Sequence, residues 1–166
     1  MRSLFEVFES IADSDEQVDK KVTASYFIDS IVSIVNSYYD RGTKISDEDK
    51  SLLEKLWKDH NLEIPGMRWY FTRYEGIQYG PAEGLCVPVV QIHKADCINI
   101  SIRSRAGLDY AIKGLNLPRW ETVARQETKK MTDAFLRKYD KKLSNVLNMK
   151  SVESENKYFI SRYELD

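Results

Sequence analysis

A chain of 166 residues with 42% hydrophobic residues, 31% charged residues and a mean hydropathy of -0.50 is long enough to bury a core of its own. No apolar run approaches the roughly 20 residues of a membrane span, and Glu6 stands where a signal peptide would have its apolar centre, so a single cytoplasmic domain is expected. The net charge of -1 conceals an asymmetry: residues 1–66 carry 8 Lys and Arg against 14 Asp and Glu, residues 67–150 carry 15 against 8, and residues 151–166 carry 2 against 4.

The first third reads as helix. Leu4, Phe5, Val7, Phe8 and Ile11 have the spacing of a short docking helix. From about Asp15 to Tyr39, a stripe of Val18, Val22, Tyr26, Ile28, Ile31, Val32, Ile34 and Val35 predicts a longer one, closed at Gly42. Ser46 followed by Asp47, Glu48 and Asp49 is a capped helix start, and Leu52, Leu53, Leu56 and Trp57 continue it at helical spacing. Pro65-Gly66 then ends the helical section.

Residues 67–103 change character. The aromatic run 67–74 predicts a strand whose Trp69 and Phe71 point one way and whose Tyr70 and Tyr74 point the other. Gly76, Gly80 and Gly84 around Pro81 read as a flexible loop, in which Tyr79 and Glu83 are natural partner contacts. Residues 85–93 and 97–103 predict a hairpin. With Ile92 facing Cys97, Val87, Val89 and Gln91 share the buried face with Ile98, Ile100 and Ile102, and Pro88 demotes its strand to an edge or a bulge. Cys86 and Cys97 lie toward opposite ends of that hairpin and read as reduced thiols.

Residues 106–115 fit a short helix stopped before Pro118. A single long helix is predicted from about Trp120 to Met149, with Trp120, Ala124, Met131, Phe135, Tyr139, Leu143, Val146 and Leu147 along one side. On its opposite side, Arg137, Lys138, Lys141 and Lys142 alternate with Asp133 and Asp140, which reads as a solvated face with local ion pairs. Residues 157–164 predict a last strand. The fold expected is α+β, with a small, mainly antiparallel sheet of three to four strands (67–74, 85–93, 97–103 and 157–164) covered by helices.

For function, the basic middle section is the most informative feature. Arg68, Arg73, Arg103, Arg105, Arg119 and Arg125 could neutralise phosphates if they converge, and Trp69 and Tyr74 could stack on bases. The expectation is a non-catalytic regulatory or accessory protein, similar in general build to compact viral or mobile-element accessory proteins, binding nucleic acid or another protein and capable of self-association. The competing reading is a metal-dependent, nuclease-like enzyme with a site around Glu75, Glu83, His93 and Asp96, although the central strands lack the paired carboxylates that such chemistry uses. His60, His93, Cys86 and Cys97 show no zinc-type spacing, so neither metal nor cofactor is expected.

Overall fold

The computed structural model describes residues 23–81, 87–114, 118–152 and 156–165, with residues 118–120 described in their backbone only. The expected helix at Leu4–Ile11, and the expected second helix up to residue 22, lie outside the described residues. Helix α1 occupies residues 23–40 and buries Ala24, Phe27, Ile31, Ile34, Val35 and Tyr38, one stripe at three- and four-residue spacing. Tyr26 falls outside that stripe and is exposed. Helix α2 (Asp47–Asp59) starts where expected: Ser46 accepts a hydrogen bond from the Asp49 amide at 3.1 Å, and Leu53, Leu56 and Trp57 face inward.

Five strands follow in an antiparallel meander, β1 (Arg68–Thr72), β2 (Gly76–Gly80), β3 (Val90–Lys94), β4 (Ile98–Arg103) and β5 (Phe159–Glu164), adjacent in the order of the chain. The class is α+β, with one strand more than the sequence predicts. The additional strand is the supposed glycine loop. β2 is buried along its whole length between β1 and β3. Gly76, at φ +80°, sits where an added Cβ would come within 2.5 Å of the Ile92 carbonyl oxygen. Its glycine therefore serves close approach of the backbone rather than flexibility.

The hairpin register also differs. Ile92 pairs with Ile100, not Cys97, because Ala95, Asp96 and Cys97 all belong to the turn, with the Ala95 amide bonded to the Cys97 carbonyl at 3.0 Å. A shift by an odd number of residues exchanges the two faces of β3. Val90 and Ile92, rather than Val89 and Gln91, thus join Ile98, Ile100 and Ile102 on the core face. Gln91 moves to a polar face, in one row with Tyr70, Gln78, Ser101 and Arg162. Pro88 precedes β3, which is a central strand.

The core face is closed by α1, α2 and the C-terminal helices through buried tyrosine hydroxyls. Trp57 Nε1–H donates to the Tyr139 hydroxyl at 2.9 Å, which donates in turn to the Leu62 carbonyl at 2.7 Å. Tyr79 Oη accepts from the Ile64 amide at 2.8 Å, and the Tyr38 hydroxyl donates to the Thr72 carbonyl. Burial raises all three phenols, Tyr38 to about 12 with a smaller contribution from Tyr39. Such groups stay neutral and bonded because a buried, unbonded hydroxyl is costly.

The expected short helix is present as α3 (Arg105–Lys113), but the expected long helix is two helices. These are α4 (Pro118–Lys130) and α5 (Asp133–Leu147), which are separated by Met131 and Thr132. Thr132 adopts extended dihedrals and its hydroxyl accepts from the Phe135 amide at 3.3 Å, making it an N-cap in the middle of the predicted helix. Ala124, Met131, Tyr139, Leu143 and Leu147 of the predicted stripe are buried, but after the break Leu136 faces inward and Phe135 is exposed. No helix among the described residues is long and apolar enough to cross a membrane.

Candidate nucleic-acid interface

The β4–α3 junction and the chain entering β5 are tied together by one serine. Ser104 caps α3 by accepting from the Gly107 amide at 3.1 Å. It also donates its hydroxyl to the Lys157 carbonyl at 2.6 Å and its own amide to the Tyr158 carbonyl at 3.0 Å. Gly107 has no room for a side chain, since a Cβ there would collide with the Tyr158 carbonyl. The clamp fixes residues 157–159 against the first turn of α3.

Aromatic rings gather on the outside of this clamp. Tyr158 stacks on Tyr110 with centroids 4.8 Å apart and planes inclined by 30°, and Tyr110 is 62% exposed. Lys157 Nζ lies 5.2 Å from the Tyr158 ring centre, and the Arg103 guanidinium lies 5.3 Å from that of Phe159. Both distances are within cation–π range. Arg105 and Lys113 are exposed on α3, Lys113 one turn beyond Tyr110, and Asp109 is an exposed carboxylate on the same helix. Tyr158 and Phe159 each have a cation within reach, and Tyr110 leaves much of its ring in solvent. Chemically, this can stack a planar base and neutralise a phosphate.

Of the described residues singled out from the sequence, Arg103 and Arg105 lie at this junction and the others lie elsewhere. Arg73 and Tyr74 lie in the β1–β2 turn at the opposite end of the sheet, with Arg73 5.4 Å from the ring centre of an 87% exposed Tyr74. Arg68 is on β1, three inter-strand steps from β4, which is about 14 Å at the usual strand spacing. The meander thus spreads Arg68, Arg73 and Arg103 across the sheet, because it places successive strands side by side. Trp69 is a half-buried wall of the core, 4.8 Å from both Trp57 and Tyr79. Tyr79, expected in a surface loop, is buried in β2. Arg68, Trp69 and Tyr79 do meet at a cavity of about 600 Å³ beside Lys50, Glu54 and Glu63. Arg125 is paired with Glu121 one turn away on α4. Glu83 and the Arg119 side chain lie outside the described residues.

Glu75, His93 and Asp96 of the nuclease-like grouping lie toward one end of the sheet. Glu75 accepts a hydrogen bond from Gln78 Nε2 at 2.9 Å, and Asp96 is exposed in the β3–β4 turn. Burial, with the nearby Arg162 charge, pushes the His93 imidazole below its ordinary value. Among the described residues no three His, Cys, Asp or Glu side chains are placed to hold a metal ion.

Tyr110, Lys157, Tyr158 and Phe159 are the residues that sequence reasoning missed. Their signal was weak but present: a glycine in the first turn of a helix, three residues after a serine, marks a close approach by another segment. No protein-family model matches this sequence, and no curated protein or solved structure is significantly similar to it.

Proposed function

We propose that this chain is a non-catalytic accessory protein that binds single-stranded nucleic acid at the α3–β5 junction, in a cytoplasmic setting. The observation that carries the reading is the Tyr110–Tyr158 stack, with Tyr110 exposed and Lys157 at cation–π distance from Tyr158, at the Ser104 junction that Arg103 and Arg105 flank in the sequence. A duplex presents no free base faces, whereas a single strand can add a base to an exposed ring while its phosphates meet the surrounding cations. Stacking of this kind tolerates any base, so little sequence preference is expected. The Ser104 clamp supports the reading because it orders the site before a ligand arrives, which reduces the entropy lost on binding.

The test is fluorescence anisotropy with labelled deoxythymidine and uridine 20-mers at low salt. Wild-type protein is expected to bind both, and the double substitution Tyr110→Ala with Lys157→Gln to weaken binding without moving the thermal midpoint. Absence of binding by the wild type, or unchanged affinity in the folded double variant, contradicts the proposal.

A further inference from the structure

The basic residues of α5 are not a self-neutralised surface. Residues 136–151 contain five cations and a single carboxylate, Asp140. The two acids that the sequence interleaves with this run are both engaged elsewhere. Asp140 accepts a hydrogen bond from the Tyr163 hydroxyl on β5, and Asp133 Oδ1 accepts one from the Arg105 backbone amide at 2.9 Å. Arg137, Lys138 and Lys141 are exposed, with no ion pair to any described residue, while Lys142 Nζ donates to the Asn61 carbonyl at 3.1 Å. α4 behaves differently: there Arg125 pairs with Glu121, and Lys130 with Glu127 at 3.4 Å.

From this we infer that α5 is a second contact for the same single strand, a backbone-tracking surface that continues the stacking site. The inference rests on the function proposed above. Two observations join the surfaces. The Asp133–Arg105 bond places the first residue of α5 against the first residue of α3, where the aromatic site begins. Beyond it, Arg137 with Lys141 and Lys138 with Lys142 form two rows at four-residue spacing along the outer side of α5, over about 14 Å from Asp133 to Lys142 at 1.5 Å per residue. Exposed cations in such rows, without an ion pair to any described residue, match a phosphate backbone and supply affinity without base readout. The stack then holds bases, and α5 holds phosphates further along the strand.

The consequence is a dependence on oligomer length. A 5-mer, about 17 Å long at 3.4 Å per stacked nucleotide, occupies the stacking site alone, whereas a 20-mer of about 68 Å reaches both surfaces. The experiment compares wild type, the triple variant Arg137→Gln, Lys138→Gln, Lys141→Gln, and Tyr110→Ala, each titrated with labelled 5-mer and 20-mer across a salt series and checked for an unchanged circular dichroism spectrum. The triple variant should bind the 5-mer as wild type does but lose at least tenfold affinity for the 20-mer, with a salt slope lower by about 2, at roughly 0.7 per phosphate contact. Tyr110→Ala should weaken both. A folded triple variant with wild-type 20-mer affinity and slope overturns the role of α5 and leaves the stacking site standing. If Tyr110→Ala binds the 5-mer normally, the stacking site fails while α5 is judged on the 20-mer alone; if no oligomer binds wild type, both fail.

Discussion

Two aromatic clusters in this protein use the same residue types for opposite purposes. Around Trp57, polar atoms are turned inward and bonded: Trp57 to Tyr139, Tyr139 to Leu62, and Tyr79 to Ile64, with rings in contact from Phe27 to Trp69. Around Tyr110, the rings lie near the surface, stacked on one another and approached by cations. The first arrangement removes apolar area from water and pins the orientation of α2 and α5 on the sheet. The second leaves apolar area in water and adds charge beside it. Aromatic content alone cannot distinguish core from contact surface; the closure of hydrogen bonds and the side from which cations approach can.

That contrast breaks most visibly by truncation at its buried end. Trp57→Ala is expected to cost about 3–5 kcal/mol, and Ile100→Ala about 2–5 kcal/mol, from lost burial and the cavity left behind. Chemical denaturation should show both, and unchanged midpoints would mean that these side chains are not core. Tyr139→Phe keeps the ring but deprives the Trp57 N–H and the Leu62 carbonyl of their partner, for an expected loss of about 1–3 kcal/mol. Tyr110→Ala should sit at the other extreme, within about 0.5 kcal/mol of wild type in stability. Its effect belongs in binding: a roughly five- to hundredfold loss, from about 1–3 kcal/mol per stacked base.

Charge sharpens the comparison further. Lys157→Gln should lower the slope of log affinity against log salt by about 0.7, the value for one phosphate contact on a single strand. Arg73→Gln, at the far end of the sheet, should leave it unchanged. The smallest effect is acid sensitivity. Burial lowers the imidazoles of His60 and His93, so in this range the unfolded chain binds more protons than the folded one. Stability is then complete above the ordinary value near 6.5 and declines as pH falls from there through the lower folded values. Replacing both histidines with Gln should flatten thermal midpoints measured across that window.

How much of this was legible beforehand depended on whether the signal was local. α2 could be read because Ser46, its acidic first turn and its leucine stripe are consecutive. β4 could be read because three isoleucines alternate within it. β2 could not, since Gly76 and Gly80 mimic a loop and only the neighbouring strands reveal why they must lack side chains. The break at Thr132 is a single N-cap inside an otherwise continuous apolar pattern. Arg103 and Arg105 were found because the basic bias of their region was countable, but the aromatic residues of the junction come from positions 110 and 158–159. Long-range ties bring these together: the β4–β5 pairing of Arg103 with Phe159 and the bonds of Ser104 to Lys157 and Tyr158.

The central claim is that the exposed cluster, not the buried one, meets nucleic acid. Two-dimensional NMR of labelled protein titrated with an unlabelled deoxythymidine 20-mer tests this most directly. The account predicts shifts concentrated at Arg105, Tyr110, Lys157 and Tyr158 and continuing along the outer side of α5, with Tyr79 and Trp57 unmoved. Shifts centred on Trp69 and the cavity beside it, or no shifts at low salt, would contradict it.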